Sequence, residues 1–278
     1  ECEYTNILLK FLPASPPLVS NLGVIALRDH DASTKISERF PYVAAITRNS
    51  SSSWSFACFA SVILSRWAVT SAHCRLFGAT HRVLLFHDFI ENRTSTYPIQ
   101  LWRIHEKYNT TEAHSPRHDI AIAKLNIGAS VISKSSTFDD TMASEVEASV
   151  WKTVSTMDKR MFLTNDMDKF DLKISPDSRC FESYGVEMDE SMICVDMSDH
   201  EDCFVHEFGP LYQGDKVVGV LAMKPRDCDV KLAIFTNVSY YTRWIIRSSQ
   251  SNICHRGLFC GPIKEKQSHH MFVSTLFC

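Results

Sequence analysis

Residues 58–74 read CFASVILSRWAVTSAHC. Within this stretch residues 60–64 and 67–70 are short runs rich in β-branched and aromatic side chains, which pack well on a pleated surface and predict strands. His73 and Cys74 follow at once. The same kind of run recurs outward from here, at residues 43–47, 82–86, 99–104, 120–125, 216–223 and 231–238. Gln213-Gly214-Asp215, between Leu211 and Lys216, reads as the turn of a hairpin. Many short strands punctuated by turns predict an all-β sandwich or barrel. One helix is expected, late in the chain, where Tyr240, Tyr241, Trp244, Ile245 and Ser248 share a face at helical spacing.

The chain of 278 residues is long enough to bury a substantial core. Its 45% hydrophobic and 22% charged residues are ordinary globular values. The net charge of −3 gives no basic excess of the kind that nucleic acid or an anionic membrane surface favours. No run approaches the ~18 apolar residues that a membrane helix needs. The ten cysteines are the informative count, and at irregular spacing they fit an oxidising compartment. Asn49, Asn92, Asn109 and Asn237 each open an N-x-S/T sequon, which with the cysteines favours a secreted, glycosylated chain. A start at Glu1 rather than Met is expected if a signal peptide has been removed. Pro13, Pro16 and Pro17 break any helix near the start, so residues 1–28 read as a leader.

At residues 58–74 the sequence resembles the trypsin-like serine protease signature, in which a strand and W-x-x-T-A-A-H-C deliver the catalytic histidine. His73 matches that histidine. Residues 118–125, HDIAIAKL, resemble the family's N-D-I-A-L-L-K-L, so Asp119 matches the aspartate that orients it. Residues 40–43, 192–194 and 236–244 match further landmarks, and the resemblance covers roughly residues 29–249. Residues 250–278 then form a cysteine-containing tail. The resemblance implies a double six-stranded antiparallel β-barrel with a C-terminal helix. It also implies the disulfides Cys58–Cys74, Cys180–Cys194 and Cys203–Cys228. Cys2, Cys254, Cys260 and Cys278 are left over, with three possible connectivities. The chemistry agrees: a hydroxyl nucleophile needs a neutral imidazole, and the imidazole needs a buried carboxylate to fix its tautomer.

The nucleophile itself is missing. The family carries it in G-D-S-G-G-P after a cysteine, whereas Cys203 is followed by FVHEFGPL. Counting from Cys203 and from Gly209-Pro210 gives one register, with Glu207 at the serine position. A carboxylate is a poor acyl acceptor. Val205 replaces the glycine that offers a backbone N–H to the oxyanion, and loss of such a donor costs about 3 kcal/mol of transition-state stabilisation. His206 replaces the aspartate that receives the new N-terminus after activation cleavage, and residues 28–31 read RDHD rather than I-V-G-G. A buried ammonium needs a partner, so both halves of that pair are absent. In the specificity pocket, Glu201 stands at the base, Ala222-Met223-Lys224 replaces the S-W-G wall, and Ala233 replaces a glycine. Lys224 either pairs with Glu201 or points to solvent.

The expectation is therefore a secreted, non-catalytic protease homologue without cofactor or metal. It would bind an extracellular protein partner (a protease, a protease substrate, an inhibitor or a receptor) and act as regulator, cofactor or decoy in a cascade, in immunity or in reproduction. The alternative is a hydrolytic enzyme using Glu207, His73 and Asp119 in a noncanonical site. His105, His114 and His118 match no zinc spacing and read as a polar surface loop.

Overall fold

The computed structural model describes residues 24–25, 38–50, 53–64, 66–75, 78–86, 95–109, 115–128, 136–141, 145–155, 161–198, 208–225 and 229–250. Two six-stranded barrels account for nearly all of them. The first is closed in the order β2-β3-β4-β7-β6-β5. Its strands are β2 (Val43–Ser50), β3 (Ser53–Ile63), β4 (Trp67–Thr70), β5 (Thr80–Leu85), β6 (Thr96–Ile104) and β7 (Ala121–Leu125). The second runs β9-β10-β13-β12-β11-β8, and pairing of β8 with β9 closes it. It comprises β8 (Glu145–Ser155), β9 (Met161–Ile174), β10 (Met192–Asp196), β11 (Leu211–Gln213), β12 (Lys216–Met223) and β13 (Leu232–Asn237). Every pairing within the barrels is antiparallel. Outside them, β1 (Val24–Ile25) lies parallel to β9, so the segment read as a leader contributes to the second sheet.

Closure removes the edges of both sheets, and with them the unpaired donors and acceptors that would otherwise face solvent. It also fixes which residues face inward. All four residues of β4 are buried, and all six of β13. The predicted hairpin forms, with Gln213 paired to Lys216 across Gly214-Asp215. Gly214 takes φ +61°, a conformation that a side chain resists. Gly219 on β12 has a different reason: a Cβ there would lie 2.9 Å from Leu211 Cδ1 and 3.2 Å from Phe235 Cβ.

The barrels are joined through aromatic rings. Phe40, Tyr42 and Tyr212 are all buried, with Tyr212 5.4 Å from Phe40 and 4.8 Å from Tyr42 between centroids. The Tyr42 hydroxyl donates to the Gly214 carbonyl, so the entry to the first barrel is fastened to the hairpin of the second.

Among the described residues, two helices of eight or more residues accompany the barrels. The first, α1 (Asp177–Tyr184), was not expected, since one buried residue, Cys180, is too little for an apolar periodicity to show. Its signals are at its ends: Pro176 before it, Asp177 in its first turn, and Gly185 in the left-handed conformation after it. The second, α2 (Thr242–Gln250), is the expected late helix. Tyr241 and Ile245 are buried as expected, but Tyr240 precedes the helix and is 53% exposed, which corrects its placement on the packed face.

Candidate functional site

The register of β4 against β7 builds the site. Thr70 pairs with Ala121, so the chain leaving β4 and the chain entering β7 emerge side by side. A short 3-10 turn, Ala72–Cys74, follows β4 and carries His73. Asp119 stands two residues before β7. The Asp119 carboxylate accepts from the His73 backbone N–H at 2.9 Å through Oδ1. Oδ2 lies 2.6 Å from His73 Nδ1. Asp119 is 1% exposed, whereas the His73 side chain is 40% exposed. The carboxylate thus holds a proton on Nδ1 and fixes the orientation of the ring.

Bonds from both barrels hold this pair in place. Ser71 Oγ donates to the Leu221 carbonyl on β12 at 2.5 Å, and Thr236 Oγ1 on β13 donates to the Asp119 carbonyl at 2.9 Å. The cleft beside His73 is lined by Cys58, Phe59 and Ser71 from the first barrel and by Phe208, Pro210, Val220 and Leu221 from the second. His73 Nε2 lies 3.6 Å from Cys58 Sγ, a contact that sequence reasoning missed. The pairing of Cys58 with Cys74 was its only available signal.

The disulfides Cys58–Cys74 and Cys180–Cys194 are both formed. Of the expected site residues, Glu201, Cys203, Val205, His206 and Glu207 lie outside the described residues, as do Cys228, Asn92, His114, residues 28–31 and the cysteines Cys2, Cys254, Cys260 and Cys278. In the pocket wall, Ala233 is fully buried and Lys224 is half-buried. Asn109 is exposed. Asn237 corrects the sequon reading: it is 3% exposed, its amide nitrogen donates to the Glu190 carbonyl, and its amide oxygen accepts from the Ser239 N–H. An amide bonded at both ends inside the fold is not presented for glycosylation.

The surface-loop reading of His105 and His118 is likewise corrected. His105 is 8% exposed, and its ring stacks on that of His118 at 5.1 Å. Burial lowers the pKa of both, so both are held toward the neutral form. Burial also raises Tyr241 to about 12, and its hydroxyl lies at hydrogen-bonding distance, 2.7 Å, from His118 Nδ1. Among the described residues, the metal-ligand atoms that converge belong to Cys58, His73 and Cys74, and two of these are bonded to each other.

Two closed six-stranded barrels, with a histidine–aspartate pair at the cleft between them, define a trypsin-like serine protease domain. The trypsin family model matches residues 30–245, so the chain belongs to that family. A chymotrypsin-like serine proteinase of Haliotis rufescens is 26% identical over 86% of this chain and 97% of its own length. Human kallikrein-8 is 23% identical over 68% of this chain and 75% of its own. Trypsin alpha of Drosophila erecta is 25% identical over 76% and 84%. In fold, the chain is similar to neuropsin, a serine protease expressed in mouse brain, with a TM-score of 0.60 and 21% identity over 76% of this chain and 95% of that one.

Proposed function

We propose that this trypsin-family domain is non-catalytic and works by binding a protein partner outside the cell, as a regulator, cofactor or decoy in a proteolytic, immune or reproductive pathway. One observation carries the reading: the stretch from Cys203 to Gly209-Pro210 has the family's length, with Glu207 where the nucleophilic serine belongs. A carboxylate there would form a mixed anhydride with a peptide carbonyl, a costly intermediate, and Val205 and His206 fail the oxyanion and activation roles beside it. The orienting pair His73–Asp119 is intact, but a general base without a hydroxyl or thiol to activate does not cleave peptides. Two formed disulfides and the exposed Asn109, which opens a sequon, favour an extracellular setting. No helix among the described residues is long and apolar enough to cross a membrane.

The test is hydrolysis of peptide and ester substrates together with labelling by a fluorophosphonate serine probe, on the unaltered chain and on Glu207→Ser. Neither protein is expected to turn over substrate, because residues that act as a unit recover little when one is repaired. Labelling of the unaltered chain that disappears in His73→Ala would overturn the non-catalytic reading. Turnover by Glu207→Ser close to that of an ordinary trypsin would show that Val205 and His206 matter less than argued.

A further inference from the structure

Asp119 sits in a tight turn whose first residue is conformationally constrained. His118 takes φ +55°, a left-handed conformation uncommon outside glycine. Its carbonyl accepts from the Ile120 N–H at 2.8 Å, which folds the chain closely about Asp119. Two contacts hold the His118 ring: Nδ1 lies 2.7 Å from the Tyr241 hydroxyl, and the ring stacks on His105 at 5.1 Å with 14° between the planes. His105 in turn packs against Tyr241 at 5.0 Å and against Trp244 of α2 at 5.2 Å. His105 Nδ1 accepts from the Lys107 N–H at 3.3 Å, so the proton of the neutral ring sits on Nε2. The carboxylates that face this cluster are already engaged. Glu106 accepts from Trp244 Nε1 at 3.0 Å and faces Arg247. Asp189 pairs with Arg117 at 2.8 Å and accepts from the Ser191 N–H and hydroxyl. Asp119 is engaged with His73. Lys107 faces both rings and Arg117 faces His118, and each opposes a further positive charge. Tyr108 and Tyr241, raised to about 12 by burial, stay neutral.

We propose that the His105–His118 stack is an acid-operated latch that ties the His73–Asp119 pair to the docking of α2. In neutral solution both rings are uncharged, and the stack, the Tyr241 contact and the bent backbone support one another. In mild acid each imidazole takes a proton from solvent. On His105 that proton goes to Nδ1, where it meets the Lys107 N–H, so an accepting contact becomes two donors face to face. With both rings charged, like charges lie stacked at 5.1 Å, one of them on a buried residue. The stack separates and the rings turn to water. Tyr241 and Trp244 then lose the face they pack on, which frees the first turn of α2. His118 is no longer held in its left-handed conformation, so the turn that carries Asp119 relaxes and loosens its hold on His73. The coupling is reciprocal: whatever holds the His73–Asp119 pair closed also lowers the pH at which the latch opens. The inference rests on the stack and the turn and is independent of the reading of position 207.

The test follows backbone hydrogen exchange by NMR on the full, oxidised chain from neutral to mildly acidic pH, with each rate corrected for the intrinsic pH dependence of exchange. Three amides report the latch: Ile245, bonded to the Tyr241 carbonyl, Ile120, bonded to the His118 carbonyl, and His73, bonded to the Asp119 carboxylate. Protection of all three should fall together, at least about tenfold between about pH 6.5 and pH 5, because each proton taken up on opening shifts the equilibrium by up to about tenfold per pH unit. Val62, bonded to the Tyr42 carbonyl inside the first barrel, should keep its protection. The double variant His105→Gln with His118→Asn has no titrating ring in the stack, and asparagine accepts the left-handed conformation. Its three reporters should change less than about threefold over the same range. Where that variant fails to fold, the profile of the unaltered chain still decides. Unchanged protection of the three amides in acid, loss of Val62 in step with them, loss at Ile245 while His73 stays protected, or an undiminished acid response in the folded double variant would each overturn the latch.

Discussion

Asp119→Asn isolates what the histidine–aspartate pair contributes to the fold, separately from any chemistry. The carboxylate is 1% exposed and accepts from the His73 backbone N–H at 2.9 Å and the His73 ring at 2.6 Å. Asparagine keeps the shape and loses the charge. Its amide oxygen can satisfy one donor, but its NH2 group then faces the other site. If the oxygen stays with the backbone N–H, the ring must switch tautomer so that Nδ1 accepts, which moves the ring proton to Nε2 beside Cys58 Sγ. Hydrogen bonds to charged groups contribute about 1.5–3 kcal/mol each. Partial rescue by the tautomer switch leaves an expected net loss of about 1–3 kcal/mol. In a domain of this size each kcal/mol moves the midpoint by about 2–4 °C, so Tm should fall by roughly 2–12 °C. The assay is thermal unfolding by circular dichroism at pH 7 and a fixed scan rate, with disulfides kept oxidised. A variant melting within one degree of the unaltered chain would refute the claim that the pair is a structural element.

Gly219→Ala should destabilise by about 1–3 kcal/mol, because its Cβ meets Leu211 Cδ1 at 2.9 Å and neighbours on β11 and β13 must shift; an unchanged urea midpoint would contradict this. Acid should weaken the fold through His105 and His118, whose folded pKa values burial holds below the ordinary value. The unfolded chain binds protons first, so their stabilisation is complete above about pH 6.5 and is lost as pH falls from there through the depressed folded values. Replacing both by Asn should flatten Tm between pH 7.5 and pH 5; an unaltered slope would place the acid sensitivity elsewhere.

Strands β4 and β7 of the first barrel were legible because they are buried on nearly every residue and read as continuous apolar runs. Strand β4 was expected at residues 67–70 and is Trp67–Thr70; in the second barrel, β12 was expected at 216–223 and is Lys216–Met223. The two long strands of the second barrel were harder. Strands β8 and β9 carry Glu147, Lys169 and Asp171, which pair across the barrel surface with one another and with Arg39. Those charges interrupt any apolar run, so no strand was expected there. The dyad was legible because its two residues sit in local motifs whose separation the barrel then closes. The His105–His118 stack was not, since its partners Tyr241, just before α2, and Trp244, on it, lie more than a hundred residues away in sequence. Asn237 failed for the same reason: a tripeptide carries no information about the β12–β13 pairing that sets Asn237 opposite Gly219.

That closure gives the orienting pair a structural reason of its own, as the proposed non-catalytic reading requires. Asp119 is fastened by its backbone carbonyl to Thr236, and its carboxylate holds both the backbone and the ring of His73. Ser71, two residues before His73, is fastened to Leu221. The pair therefore belongs to the joint between the barrels as much as to any reaction. Removing the histidine would leave a buried carboxylate short of a donor, and removing the carboxylate would strand a backbone N–H, each a cost of about 1–3 kcal/mol. An intact His73–Asp119 geometry is therefore compatible with the non-catalytic reading proposed above and is not by itself evidence for peptide cleavage.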